Sequence, residues 1–157
     1  MSKTIVFICT GNTCRSPLAE AGMRKAALEA GLDLTVLSAG LAVFAPLPAS
    51  DHAREAAREV GLDLSAHKSR PFSREMALAS DRIVTMTQKH KDAILRKMPS
   101  LEGKVHLLSE WAGEGMTEVE DPAGADLEAY RRSRDQILGY VEKAVLRLGE
   151  DLSRPGL

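Results

Sequence analysis

Near the N-terminus, Cys9-Thr10-Gly11-Asn12-Thr13-Cys14-Arg15 sets a thiol and a guanidinium at the two ends of a short polar loop, with Ser16-Pro17 directly behind it. Each residue type has a use in oxyanion chemistry. Gly11 permits φ > 0 and close backbone approach, and Asn12 is among the few other residues that tolerate the left-handed region. A loop with these two side by side can curl so that successive N–H groups form an anion nest. A helix starting behind the loop adds unpaired N–H groups and the positive end of its dipole. Arg15 carries a planar fork that can grip two phosphate oxygens. Cys9 sits at the base of such a cradle, where the dipole and Arg15 both favour its thiolate. A thiolate beneath a bound phosphoryl group is aligned for in-line attack on phosphorus, giving a covalent intermediate, and Ser16 can donate a hydrogen bond to the sulfur. A cysteine alone is more often a small buried hydrophobe, and Gly-Asn alone is a common turn. The full string of thiol, five residues, Arg and Ser-Pro is much rarer, and it points to function.

The flanking segments supply the elements that must hold this loop. Ile5 to Ile8 is a continuous apolar run of the kind found in a strand covered on both faces. Ser16-Pro17 reads as N-cap and first helical position of a helix ended by Gly31. Leu34 to Leu37 reads as a second strand, closed by Ser38-Ala39-Gly40, and Ser50-Asp51 as the cap of a helix running to about Val60. Arg82 to Met86 reads as a third strand, Gln88 to Met98 as a helix, and Lys104 to Leu108 as a fourth strand. Leu127, Tyr130, Ile137, Leu138, Val141, Val145 and Leu148 recur at helical spacing in a last helix. The alternation predicts an α/β fold in three layers, with a parallel sheet of about four strands flanked by helices. Ligands of such sheets bind outside the carboxyl ends of the strands, where the Cys9–Arg15 loop lies.

Composition narrows the function classes. The 157 residues fit one domain, 1–157, with a short frayed tail from about residue 150. Lys and Arg total 21 against 22 Asp and Glu, a net charge of -1 that offers no basic excess for nucleic acid. No apolar run approaches the roughly 20 residues of a membrane span, and the N-terminal run is too short for a secretory signal. Two cysteines, Cys9 and Cys14, are too few for a disulfide framework or a structural zinc site. A cytoplasmic protein with no metal and no cofactor is expected, without a nucleic-acid or membrane partner.

The stretch from Phe7 to Glu20 resembles the signature of the low-molecular-weight protein-tyrosine-phosphatase family, and the resemblance extends through Ser38-Ala39-Gly40, Met86 to Lys91 and Glu120-Asp121-Pro122. It implies a metal-independent phosphatase with phosphorylated proteins as partners, acting as a monomer or weak dimer. Cys9, Arg15 and Asp121 are the implied catalytic residues, and Thr10, Gly11, Asn12, Thr13, Cys14, Arg15 and Ser16 the implied phosphate loop. Asp-Pro alone reads as the start of a turn; by resemblance Asp121 is the general acid that protonates the leaving group and then activates water. Glu118, Glu120 and Asp126 read as a solvated rim. The family holds its loop Asn with Ser, Ser and His, which match Ser16, Ser38 and His67 around Asn12. His52, His90 and His106 read as helix or strand surface.

Thr at position 13 and the run Met86-Thr87-Gln88-Lys89-His90-Lys91 resemble the bacterial protein-arginine-phosphatase branch, which favours phosphoarginine over phosphotyrosine. A phosphoguanidinium presents N–H groups that a hydroxyl can accept, and a site that hydrogen-bonds its substrate rejects an analogue lacking the bond. Both branches commonly carry an aromatic after Asp-Pro, whereas this chain has Ala123-Gly124; Leu41, Phe44 and Trp111 are the candidates to replace that ring. Three other readings stay open: a tyrosine phosphatase, an arsenate-reductase-like enzyme, and a non-enzymatic oxyanion-binding or thiol-redox sensor. Arsenate reductases that shuttle a disulfide use further cysteines downstream, and none follows Cys14. Cys14 either closes a reversible, protective disulfide with Cys9 or packs as a buried residue.

Overall fold

A computed structural model describes residues 2–153. In chain order the elements are β1 (Lys3–Cys9), α1 (Arg15–Glu29), β2 (Leu34–Gly40), α2 (Asp51–Arg58), α3 (Arg74–Ala79), β3 (Arg82–Thr85) and α4 (Gln88–Lys97). A 3-10 turn (Pro99–Lys104), β4 (Val105–Leu107), α5 (Leu108–Trp111) and α6 (Leu127–Ser153) follow. The four strands form one parallel sheet in the order β2-β1-β3-β4. The tail expected from about residue 150 is helical through Ser153; the rest of it lies outside the described residues.

Both faces of β1 are covered, which is why its sequence is an unbroken apolar run rather than an alternating one. Ile5, Phe7 and Cys9 join a core built with α1, α2 and α6, whereas Val6 and Ile8 join the opposite core with Ala77, Ile83, Ile94, Leu101 and Val105. This period-two alternation turns the Cys9 side chain toward the α1 layer. The strand order reverses between β1 and β3, so the segments leaving those two strands border a crevice at the carboxyl end of the sheet. The loop from Cys9 to Arg15 leaves β1 there, and the start of α4 leaves β3 there.

Several boundaries depart from the sequence reading. Helix α1 begins at Arg15 with Cys14 as its N-cap residue, so Ser16 is not the cap; its hydroxyl is engaged elsewhere, as described below. Helix α2 stops at Arg58, two residues before Val60, and the chain turns at Gly61 with φ 79°. Strand β4 is shorter than Lys104 to Leu108, because Lys104 belongs to the 3-10 turn and Leu108 opens α5. The short helices α3 and α5 were not expected; α3 has a serine cap, Ser73 accepting from the Met76 N–H at 3.1 Å. Among the described residues, no helix is long and apolar enough to cross a membrane.

Gly40, at the end of β2, touches the β1 loop closely. A Cβ there would lie 2.6 Å from the Thr10 carbonyl oxygen, 2.6 Å from Val43 Cγ2 and 3.1 Å from Asn12 Cβ. Gly40→Ala therefore has to displace backbone, and a loss of about 1–3 kcal/mol is expected from such overpacking. Urea unfolding together with kcat/KM checks this: both stability and turnover should fall, and a Gly40→Ala protein unaltered in either would show that the loop tolerates displacement.

Candidate active site

The loop after β1 is built with opposite treatment of its two kinds of backbone group. Its carbonyls are tied outward. Cys9 O accepts from Leu41 N at 3.1 Å, Thr10 O from Ala42 N at 2.9 Å, and Thr13 O from Ser50 N at 3.0 Å. Asn12 O accepts from His67 Nε2 at 2.7 Å, which fixes the His67 proton on that nitrogen. Among the described residues, the backbone N–H groups of Gly11, Asn12, Thr13, Cys14 and Arg15 donate to no protein acceptor. Neighbouring segments that hold the carbonyls of Cys9, Thr10, Asn12 and Thr13 leave a run of donors for an anion.

Asn12 pins the loop in this shape. It is the one non-glycine with positive φ among the described residues, at 56°. Its side chain is fully buried and every polar hydrogen and acceptor on it is used. Nδ2 donates to Ser16 Oγ at 2.7 Å and to Ser38 Oγ at 2.9 Å, while Oδ1 accepts from Arg70 N at 3.1 Å. The four residues expected to work together, Asn12, Ser16, Ser38 and His67, are thus in direct contact. Arg70 is an addition that sequence reading missed, since a backbone N–H leaves no trace in residue type. It is held by an isolated bridge between Gly40 and Pro71 beside β2.

Cys9 is 3% exposed and its Sγ lies 2.9 Å from Ser16 Oγ. Because the Ser16 oxygen already accepts from Asn12, its hydroxyl hydrogen is available to the sulfur. Arg15 is buried in the first turn of α1; it donates through Nη1 to Val119 O at 2.9 Å and faces Asp121 Oδ2 through Nη2 at 3.6 Å. The other oxygen of Asp121 accepts from Ala123 N at 3.0 Å, a local turn that aims the carboxylate. The segment before Asp121 is anchored by Val119 N to Met86 O and by Glu120 O to Ser133 Oγ. Thiol, guanidinium and carboxylate, far apart in sequence, converge around one unpaired set of amides. Such an arrangement can bind a tetrahedral oxyanion, present a sulfur nucleophile to it and move a proton.

Other expected residues divide. Cys14 is buried and unbridged, with Ser50 Oγ and Tyr130 Oη each 3.4 Å from its sulfur. Burial and this contact push the Tyr130 hydroxyl above its ordinary range. Thr13 is half-buried with Oγ1 3.7 Å from Cys14 Sγ. Of the acids read as a rim, Glu118 accepts from Gln88 N at the start of α4 and Asp126 from Ala129 N at the start of α6, so both have capping work. Trp111 packs against Phe7, ring centroids 6.2 Å apart, which removes it from the candidates for a cleft wall. Phe44 is 96% exposed on the loop after β2.

His90 is the clear correction: it is not surface. It is 5% exposed, and its Nε2 lies 2.9 Å from Thr10 Oγ1. Burial, aided by the Arg15 charge, lowers its pKa from 6.5 to about 4, against smaller raising effects of Asp121 and Glu118; Lys89 also lowers it. A helical period gave no warning, because α4 is only ten residues long and its N-terminal turn is turned into the crevice. A folded-state value below the unfolded one means that the unfolded chain binds more protons between about pH 6.5 and 4. Stability from this group is therefore complete above about 6.5 and is lost on acidification toward 4, by at most about 3 kcal/mol. Denaturant unfolding at pH 7.5 and pH 5 should show a fall that His90→Leu reduces; an undiminished fall in that variant would assign the effect to other groups.

Comparison with known proteins identifies the family and the fold. Residues 4–154 match the model of the low molecular weight phosphotyrosine protein phosphatase family. A protein-arginine-phosphatase of Bacillus subtilis is 35% identical over 94% of this chain and 97% of its own. Arsenate reductase 1 of Staphylococcus epidermidis is 39% identical over 89% of this chain and 93% of its own. Among solved structures, a YwlE arginine phosphatase variant with a phosphorylated active-site serine superposes with a TM-score of 0.90 at 34% identity, covering 94% of this chain and 97% of that one. With an oxyanion-ready loop, a three-layer parallel sheet and matches of this length, the chain belongs to the low molecular weight phosphotyrosine protein phosphatase family and is a cysteine-based protein phosphatase.

Proposed function

We propose that this phosphatase hydrolyses phosphoarginine in proteins in preference to phosphotyrosine. The observation that carries its chemistry is the polarity of the loop: carbonyls bonded outward, five consecutive amides from Gly11 to Arg15 unpaired, and Cys9, Arg15 and Asp121 converging there. Cys9 thiolate attacks phosphorus in line, forming a sulfur–phosphorus bond as the bond to the leaving nitrogen breaks. The loop amides and Arg15 stabilise the equatorial oxygens, and Asp121 gives its proton to the departing guanidine. Asp121 then takes a proton from water, which attacks the phosphocysteine and releases inorganic phosphate and the Cys9 thiolate. No cofactor or metal enters either step. Free Cys9 and Cys14 suit a reducing cytoplasm, with phosphorylated proteins as the partners and a monomer or weak dimer as the working form.

The preference for phosphoarginine is supported by Thr13 in the loop, by the Met86–Lys91 run bordering the crevice, and by the full-length similarity to proteins named arginine phosphatases. Ala123 after Asp121-Pro122 stands where both branches commonly carry a ring, so this position does not separate the two substrates. A reductase reading has the similarity to arsenate reductase 1 behind it, but Cys9 and Cys14 are the two cysteines of the chain, and Cys14 Sγ is lodged between Ser50 and Tyr130. A purely binding or redox-sensing module has no use for a carboxylate beside Arg15.

Two expectations follow from these roles. Cys9→Ser should abolish turnover while leaving phosphate affinity nearly intact, and Asp121→Asn should lower kcat about 100- to 10,000-fold; full activity in either variant would sink the mechanism. In side-by-side assays on phosphoarginine and phosphotyrosine peptides, the native protein should favour phosphoarginine, and Thr13→Ile should shift the ratio toward phosphotyrosine by about 10-fold or more. An unmoved ratio would remove Thr13 from the specificity argument.

A further inference from the structure

His90 is buried against the catalytic end of the sheet, yet no step above uses it. Its ring sits in the first turn of α4, whose cap Thr87 accepts from the His90 N–H at 3.2 Å. That turn borders the crevice where the strand order reverses, opposite the Cys9–Arg15 loop. Nε2 meets Thr10 Oγ1 at 2.9 Å, and Nδ1 is buried without a hydrogen-bond partner among the described residues. Thr10 follows the nucleophile directly and is exposed at the mouth of the loop, with its carbonyl held by Ala42 N.

The orphaned nitrogen decides the direction of the Thr10 bond. A neutral imidazole carries one proton, on Nδ1 or on Nε2. With the proton on Nδ1, a buried N–H donor would be left unsatisfied; with it on Nε2, only a lone pair is. Buried donors without partners are the rarer and costlier case. The neutral state itself agrees with the burial of the ring and with the Arg15 charge beside it. Nε2–H is therefore the donor and Thr10 Oγ1 the acceptor, and among the described residues the hydroxyl hydrogen of Thr10 has no protein partner to consume it.

We propose that His90 is a positioning residue: by donating to Thr10 Oγ1 it fixes the threonine side chain and leaves its O–H as a donor for an oxygen of the bound phosphoryl group. The proposal rests on the phosphatase reading and adds a side-chain donor to the amides of the loop. Reversal of the bond, with Thr10 donating to His90, would turn lone pairs instead of a hydrogen toward an anion and would repel it. The pair thus works as a polarity setter, with the burial of Nδ1 as its source.

The test is a double-mutant cycle on the full chain, read by the Kd of inorganic phosphate from calorimetry and by kcat/KM on a phosphoarginine peptide. His90→Leu and Thr10→Val should each weaken phosphate binding by about 5- to 30-fold, and the double variant should be no worse than the weaker-binding single one, because the histidine acts through the threonine. Thr10→Ser, which keeps the hydroxyl, should restore most of the affinity. If His90→Leu is poorly folded, His90→Gln supplies an amide donor of similar reach and should bind phosphate within about 3-fold of the native protein. Losses that multiply in the double variant, or a phosphate Kd unmoved by His90→Leu, would overturn the proposal. Because phosphate binding is measured without turnover, failure here is separable from failure of the Cys9 mechanism, which would instead show as activity retained in Cys9→Ser.

Discussion

The anchor of the whole arrangement is the left-handed backbone at Asn12 and the hydrogen bonds that hold it. An L-residue there costs roughly 1–2 kcal/mol relative to a right-handed conformation. Ser16, Ser38, the Arg70 amide and His67 offset that cost with bonds of 2.7 to 3.1 Å, drawn from α1, β2 and the segment between α2 and α3. The reversal at Asn12 is what lets the chain turn its carbonyls toward the surrounding elements and keep its amides unpaired. Without it, the loop would satisfy those amides internally and have nothing to offer an anion. The same network reaches the sulfur, since Ser16 stands between Asn12 and Cys9.

Burial makes this donor set matter. Cys9, Asn12, Arg15 and Ser16 are all nearly inaccessible to water. In such surroundings an unpaired donor or a guanidinium interacts with a phosphoryl oxygen far more strongly than it would in solvent. Arg15 donates to Val119 O and faces Asp121, whose carboxylate remains half exposed at 53%. One buried cation therefore links the base of the site to the segment carrying Asp121. The sheet supplies the frame: alternation along β1 turns Cys9 toward α1, and the reversal of strand order opens the crevice that α4 closes from the other side.

Much of this was legible in the residues, for physical reasons. The apolar run of β1, the long periodic α6 and the glycine at position 31 each follow local rules, and the structure contains them at nearly the expected positions. The Cys9–Arg15 loop was legible because each of its residue types has a narrow use. What escaped reading depends on contacts between distant segments. Ser16-Pro17 looks like a cap, but the helix starts two residues earlier, with Cys14 at the cap position, and Ser16 is claimed by Asn12 and Cys9. His90 looks like any polar residue of a short helix until the crevice buries it, and Arg70 contributes a backbone N–H that no side-chain pattern encodes. Helices α3 and α5 are too short to show a period.

The central claim is that the loop is already shaped to receive a tetrahedral oxyanion with Cys9 as the attacking atom. A crystal structure grown with orthovanadate tests it most directly. Vanadium bonded to Cys9 Sγ, with its equatorial oxygens on the amides of Gly11 to Arg15 and on the Arg15 guanidinium, is the predicted result. Vanadate bound elsewhere, or a Cys9 side chain turned into the core and left unmodified beside an empty loop, would contradict the account.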